Sequence, residues 1–263
     1  MASRAEQKAA ARAAREAAHR EINAAQARRM RLIWLAGLVA VAAAAIVVVV
    51  VAVGGGGGGG AAKSTNPTAA KAAVAAVLKG IPQSGDTLGN SKAPVTVTEF
   101  GDLVCPVCGQ FALTSEQQLI AADVRAGTVK LVYRGLETAS STANPGEYVA
   151  SQVAARAAGQ QSREWDYLLL WYNEQGSETD PYVTDSYMQG LAQQVPGLNL
   201  PAWQAARNSQ TLANAVTADS KAASALGFNE TPSLTITGPK GSATPIVGVD
   251  TYAQIEAEIK QVS

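Results

Sequence analysis

The sequence predicts an α/β domain in which a strand–helix–strand unit and a closing hairpin enclose a long helical stretch, carried behind one N-terminal transmembrane helix. Three observations predict it. Residues 32–53 form an apolar run without a charge, and seven glycines follow at once. A β-branched alternation, Val95-Thr96-Val97-Thr98-Glu99-Phe100, leads past two cysteines into helical periodicity and then a second strand-like run. Beyond that, residues 146–226 read as helices before two short strands and a last helix close the chain.

The apolar run, as a helix, spans roughly 33 Å, about the thickness of a bilayer's hydrocarbon core. Arg28, Arg29 and Arg31 abut its start. By the positive-inside rule, residues 1–31 form a basic cytoplasmic tail, and everything after residue 53 is outside a single-pass anchor in the cell membrane. A cleaved signal peptide is the competing reading, but its apolar core is usually shorter, about 7 to 15 residues. The tail is Ala-rich with interspersed Arg and Glu, helix-prone by propensity and read as a solvated flank that sets topology.

Residues 54–92 read as a Gly-rich tether and a short helix, 69–78, stopped by Gly80 and Pro82, then a loop over 83–94 rich in Gly, Ser, Asp and Asn. The folded domain is expected over 93–263. Phe111, Leu113, Leu119, Ile120 and Val124 give a helix over 110–125, and Gly127 ends it before a strand over 128–133. Helices are expected over 148–158, 165–172, 184–194 and 201–226, the last with a possible break. Trp165, Tyr167, Trp171 and Tyr172 recur at the spacing of a helix core. Strands over 233–237 and 245–249 form a hairpin about Gly238-Pro239-Lys240-Gly241, and a helix over 251–262 follows.

Composition removes several chemistries. The chain carries 21 basic and 21 acidic residues. Eight basic and three acidic residues lie in 1–31, which leaves 13 against 18 for the remainder. A nucleic-acid binder carries its positive charge on the folded domain, and here that domain is acidic. The one histidine, His19, lies in the tail. The body therefore has no histidine base and no Cys/His zinc site, and no metal is expected.

The only cysteines, Cys105 and Cys108, stand three apart at the start of a helix. Helix N-terminal N–H groups and dipole aimed at Cys105 favour its thiolate, the species that attacks disulfides. Cys108, inside the first turn, is shielded and placed to resolve a mixed disulfide. Pro106 suits the first helical position, where its missing N–H costs nothing. A bridge across so small a loop restrains little of the unfolded chain, so the pair reads as redox-active rather than as an inert bridge or half a zinc site. Glu99, six residues upstream in an apolar strand, reads either as a buried acid serving the sulfurs or as an exposed strand-end residue.

The stretch Thr98 to Phe111, with Cys105-Pro106-Val107-Cys108 at its centre, resembles the active-site region of DsbA-type proteins. The resemblance covers about residues 93–262 and extends to Thr231-Pro232 and to Gly197-Leu198-Asn199 through Trp203. It implies a thioredoxin-like fold with an inserted helical domain at about 146–226. It also implies a cis Pro232 beside the cysteine pair, substrate contact by Thr231, a proton-transfer role for Glu99 and no cofactor. Where the strongest oxidants of that family have Pro-His between the cysteines, this chain has Pro106-Val107, and a milder oxidant is expected. Ala-rich, Arg-containing composition is compatible with a GC-rich genome, so a membrane-anchored bacterial, actinobacterial form is expected.

The function these readings imply is thiol–disulfide exchange on exported proteins with cysteines. The resemblance implies a membrane redox partner of the DsbB or vitamin K epoxide reductase type. A tethered reductase, isomerase or dedicated electron carrier uses the same residues, and a thioredoxin-like binding module without turnover is the reading of another class.

Overall fold

The computed structural model describes residues 66–248 and 251–263. The basic tail, the apolar run 32–53 and the glycine tether lie outside the described residues. No helix among the described residues is long and apolar enough to cross a membrane.

Helix α1 (Pro67–Leu78) starts where the Asn66 side chain accepts the Thr68 N–H and Pro67 supplies a preset φ. It buries Ala70, Val74 and Leu78, one face at fourfold spacing. The stretch expected as loop holds a two-rung hairpin, β1 (Gln83–Ser84) and β2 (Thr87–Leu88), which joins the sheet by pairing with β4 (Val129–Gly135). Strands of two residues carry no periodicity, which is why the sequence reads as a loop. Arg156 fixes the hairpin's turn from below, at 3.2 Å from Asp86, and also pairs with Asp219, while Arg134 reaches Asp86 at 2.9 Å.

Strand β3 (Val95–Gly101) is central. It runs parallel to β4 and antiparallel to β5 (Ser233–Gly238), and with β6 (Gly241–Ser242) the path is β1-β2-β4-β3-β5-β6. Its alternation places Val95, Val97 and Glu99 on one face, toward the main core. Phe100, on the other face, packs edge-on against Phe228 at 5.4 Å. The expected hairpin partner of β5 is split. β6 (Gly241–Ser242) closes the tight turn, and β7 (Ile246–Val247) returns along the start of β5.

The helix expected over 110–125 begins earlier and breaks. α2 (Pro106–Leu113) stops at Thr114 (φ −129°, ψ −88°), α3 (Ser115–Leu119) restarts, and one π turn (Ile120–Val124) leads to Gly127 at φ +76°. Gly127 makes the left-handed turn into β4 that a side chain would resist.

Between β4 and β5 the chain is helical: α4 (Ser140–Ala143), α5 (Tyr148–Gly159), α6 (Glu164–Glu174), α7 (Asp185–Gln194), α8 (Leu200–Ala206) and α9 (Gln210–Ala225). The helical stretch begins at Ser140, earlier than the residue near 146 expected. The segment expected over 201–226 is two helices, because Ser209 caps a new start. α6 is buried around most of its circumference, so Trp165, Tyr167, Trp171 and Tyr172 are core residues. α1 and α2 pack against it. α10 (Tyr252–Val262) opens with a Thr251/Gln254 capping box and packs Ile255, Ile259 and Val262 into the core beside β5.

Candidate active site

The parallel β3–β4 pair ends at the turn that carries the cysteines. Antiparallel β5 begins beside the same end, with Ser233 opposite Phe100. Thr231 and Pro232 are thus delivered next to Cys105, though 126 residues separate Thr231 from it. The Thr231–Pro232 peptide bond is cis. The Cys105 thiol lies 3.5 Å from the Thr231 carbonyl oxygen.

Cys105 occupies the N-cap position of α2, and Pro106 is the first helical residue. Pro106 is exposed and Val107 half-buried, so Cys105 stands at the rim while Cys108 is fully buried. The two are unbridged thiols. The Cys105 thiol is drawn down to about 6. The largest cause is a hydrogen bond from the Cys108 thiol; burial opposes it; the Thr231 side chain and the backbone N–H groups of Cys108 and Val107 add to it. Cys108 is pushed well above an ordinary thiol, first by burial, then by giving its hydrogen bond to Cys105 and by the charges of Cys105 and Glu99. One sulfur is thus a thiolate at neutral pH and its neighbour is held as a thiol. Val107 contributes backbone only, since its side chain offers no donor.

Glu99 is buried, at 1% exposure, and so is not an exposed strand-end residue. Its carboxyl is raised to about 7, chiefly by burial, with a hydrogen bond from Glu116 lowering it and the Cys105 charge raising it. Tyr133 is its neighbour on β4. The Tyr133 hydroxyl lies 3.3 Å from that of Tyr172, and the Gln152 amide reaches it at 3.4 Å. Gly101 leaves room for this group: a Cβ there would stand 2.8 Å from the Tyr133 ring and 3.1 Å from Glu99 Oε1.

Three contributors escaped the sequence reading. Asp102 is fully buried, and both its oxygens are saturated. Oδ1 accepts the Val104 N–H at 2.9 Å and the Ser140 hydroxyl; Oδ2 accepts the N–H groups of Thr138 and Ser140 at 2.8 and 2.9 Å. The Thr138 hydroxyl, 3.3 Å from Asp102 Oδ2, is 2.7 Å from the Thr231 hydroxyl, so one carboxylate ties the cysteine turn to the loop bearing Pro232. Gln175 donates to the carbonyls of Leu103 and Cys105 at 2.8 and 2.9 Å, and the Trp171 indole N–H also reaches Leu103 O, at 2.7 Å. Glu116, on α3, is buried as well, and its side chain acts on Glu99. A short polar residue beside the cysteines was the available signal for Asp102; the others come from elements distant in sequence.

A nucleophilic thiolate at a helix N-terminus, a shielded second thiol and a titratable carboxyl behind it do one kind of chemistry: they exchange disulfides. Fold and site define a thiol–disulfide oxidoreductase. The family model described as Thioredoxin matches residues 83–257, more than half of the chain, and the chain belongs to that family. Among curated proteins it is similar to the "Probable disulfide bond formation protein D" of Bacillus cereus, 24% identical over 155 residues, 58% of this chain and 69% of that protein. The Bacillus anthracis protein of the same description is 23% identical over 153 residues, with the same coverage. Among solved structures, oxidised BdbD from Bacillus subtilis aligns with a TM-score of 0.58 at 20% identity, covering 68% of this chain and 95% of that one. DsbA from Chlamydia trachomatis aligns at 0.56 and 18% identity, covering 67% and 90%.

Proposed function

We propose that this chain is a membrane-tethered oxidase that introduces disulfides into exported proteins through Cys105-Pro106-Val107-Cys108. The anchor is residues 32–53, with the tail in the cytoplasm and the catalytic domain outside. A membrane redox partner of the DsbB or vitamin K epoxide reductase type reoxidises it. The observation that carries the exchange chemistry is the asymmetry of the two thiols, a low Cys105 at the rim and a shielded Cys108, which exchange in either direction needs. The relatives described as disulfide bond formation protein D support the direction.

In this direction a substrate thiolate attacks Cys105 Sγ of the disulfide. The Cys105–Cys108 bond breaks, its electron pair stays on Cys108 Sγ, and that sulfur takes a proton. A second substrate thiolate then attacks the substrate sulfur of the mixed disulfide. The substrate leaves oxidised, and Cys105 leaves as the thiolate its surroundings favour. The Thr231 main chain, beside Cys105, is placed to line an extended substrate segment.

The test is the equilibrium reduction potential of the full-length chain against glutathione buffers. An oxidase gives a value nearer roughly −120 mV than −270 mV. A value at or below about −270 mV replaces the oxidase with a reductase or electron carrier. A Cys105→Ser chain that retained full function in cells would make it a binding module instead.

A further inference from the structure

Gln175 belongs to the helical insertion, yet its amide ends at the cysteine turn. It is the C-cap of α6, is 5% exposed, and leaves the helix at φ −53°, ψ 128°. Its Nε2 donates to Leu103 O at 2.8 Å and to Cys105 O at 2.9 Å, the second across 70 residues of chain. An amide nitrogen carries two hydrogens, so one side chain makes both bonds. Gly109 leaves the space for it, since a Cβ there would stand 2.6 Å from Gln175 Oε1. The two carbonyls differ in what else they hold. Leu103 O also accepts the Trp171 indole N–H at 2.7 Å, whereas Cys105 O also accepts the Gly109 N–H at 3.2 Å, the bond that opens α2.

Cys105 is thus held between two partners distant in sequence. Its carbonyl faces the end of α6, and its sulfur stands beside the Thr231 carbonyl. Cys105 has N-cap geometry, φ −66° and ψ 119°, and Pro106 follows it with no N–H to anchor the peptide unit between them. Rotation about ψ of Cys105 would swing that carbonyl and, with it, the whole start of α2 relative to the sulfur. The N–H groups that would move are those of Val107 and Cys108, which favour the thiolate. The bonds made by the Cys105 carbonyl therefore set how the sulfur meets them.

We propose that Gln175 is a positioning residue of the exchange reaction: it fixes the Cys105 carbonyl toward the insertion and so holds the Cys105 sulfur at the N–H groups that open α2. The inference deepens the thiol–disulfide exchange reading and rests on it. It gives the insertion a part in the chemistry, because the amide that sets the angle of the nucleophile is carried by α6. The amide takes no proton and no electron at any step. It acts on how readily Cys105 stands, and leaves, as a thiolate.

The experiment compares full-length wild type with Gln175→Met and Trp203→Phe. Met keeps an unbranched chain and removes both donors. Trp203→Phe deletes a buried indole-to-carbonyl bond, 2.8 Å to Ala154 O, elsewhere in the insertion. The ultraviolet absorbance of the Cys105 thiolate in the reduced protein is followed against pH, and urea unfolding records the stability of each chain. Gln175→Met should move the Cys105 midpoint upward by about half a unit to one unit, a three- to tenfold change in the thiolate equilibrium. Trp203→Phe should lose stability and keep the wild-type midpoint. A wild-type midpoint in Gln175→Met, or an equal shift in Trp203→Phe, would overturn the proposal. If Gln175→Met does not fold, nuclear magnetic resonance of the wild type decides. The Gln175 Nε2 protons should exchange slowly with solvent and shift along with the Cys105 midpoint; a freely exchanging amide, or one blind to that midpoint, overturns it equally. A chain that proves to be a reductase has a different potential in the wild type while the difference between wild type and Gln175→Met remains. A chain without exchange activity fails already in the wild type, whose disulfide glutathione would not open.

Discussion

Asp102→Ala removes one carboxylate and strands the donors that converge on it. Three backbone N–H groups lose their acceptor, those of Val104 and Ser140 fully buried and that of Thr138 partly so. The two hydroxyls can rotate toward other acceptors, but the backbone groups cannot. A buried donor left unpaired costs about 1–3 kcal/mol, and water entering the small cavity recovers part of it. A loss of about 3–5 kcal/mol is expected, a large share of the roughly 5–15 kcal/mol that holds a domain together. Urea unfolding of the reduced protein should show it as a midpoint lower by roughly 2 M at unchanged slope. Asp102→Asn should not rescue, because its amide nitrogen brings further donors to a place where donors already meet. The Cys105 thiolate should titrate higher in both variants, since the turn that aims α2 is tied down by this carboxylate. A loss below about 1 kcal/mol in Asp102→Ala, or stability restored by Asn, would refute the reasoning.

Cys105 should alkylate with an apparent pKa of about 6 while Cys108 stays unreactive to much higher pH; a single transition near 9 contradicts the asymmetry. Its folded-state value lies below the ordinary one, so its contribution to stability of the reduced form is complete above about pH 9, declines as pH falls and is gone below about 6. The stability difference between reduced and oxidised protein, followed by thermal unfolding across that window, checks the sign. Val107→His places a donor beside the thiolate and should raise the reduction potential by about 30 mV for each unit by which the Cys105 pKa falls; an unchanged potential counts against side-chain control at this position. Gly109→Ala should destabilise by about 1–3 kcal/mol, because its Cβ would stand 2.6 Å from Gln175 Oε1 and the Gln175 amide is pinned to two carbonyls; calorimetry unchanged from wild type would show that Gln175 yields freely.

What was legible in the sequence was what is local. Val95 to Phe100 announces β3 by alternation, the cysteines announce themselves by spacing, and Gly127 ends a helix as its missing side chain permits. The β1–β2 hairpin was not legible, since two residues show no period and the pairing with β4 is made across more than forty positions. Glu116 was hidden for a related reason. The polar stretch around it looks solvent-facing on an unbroken helix, and only the interruption at Thr114 turns it inward. Asp102 sits in plain view beside Cys105, but its role depends on Thr138 and Ser140, whose N–H groups arrive from the far end of β4. Strand position alone also left open whether Glu99 faces the core or solvent, and the structure buries it.

The Thr231 side chain also lowers Cys105, behind the hydrogen bond from Cys108, and it stands 126 residues further along the chain, just before β5. A polypeptide emerging N-terminus first therefore presents both cysteines long before the loop that conditions them exists. Until β5 has docked beside β3, Cys105 lacks that partner and keeps only what Cys108 and the start of α2 supply. The full reactivity of Cys105 is in this way a product of long-range docking and not of the cysteine motif alone.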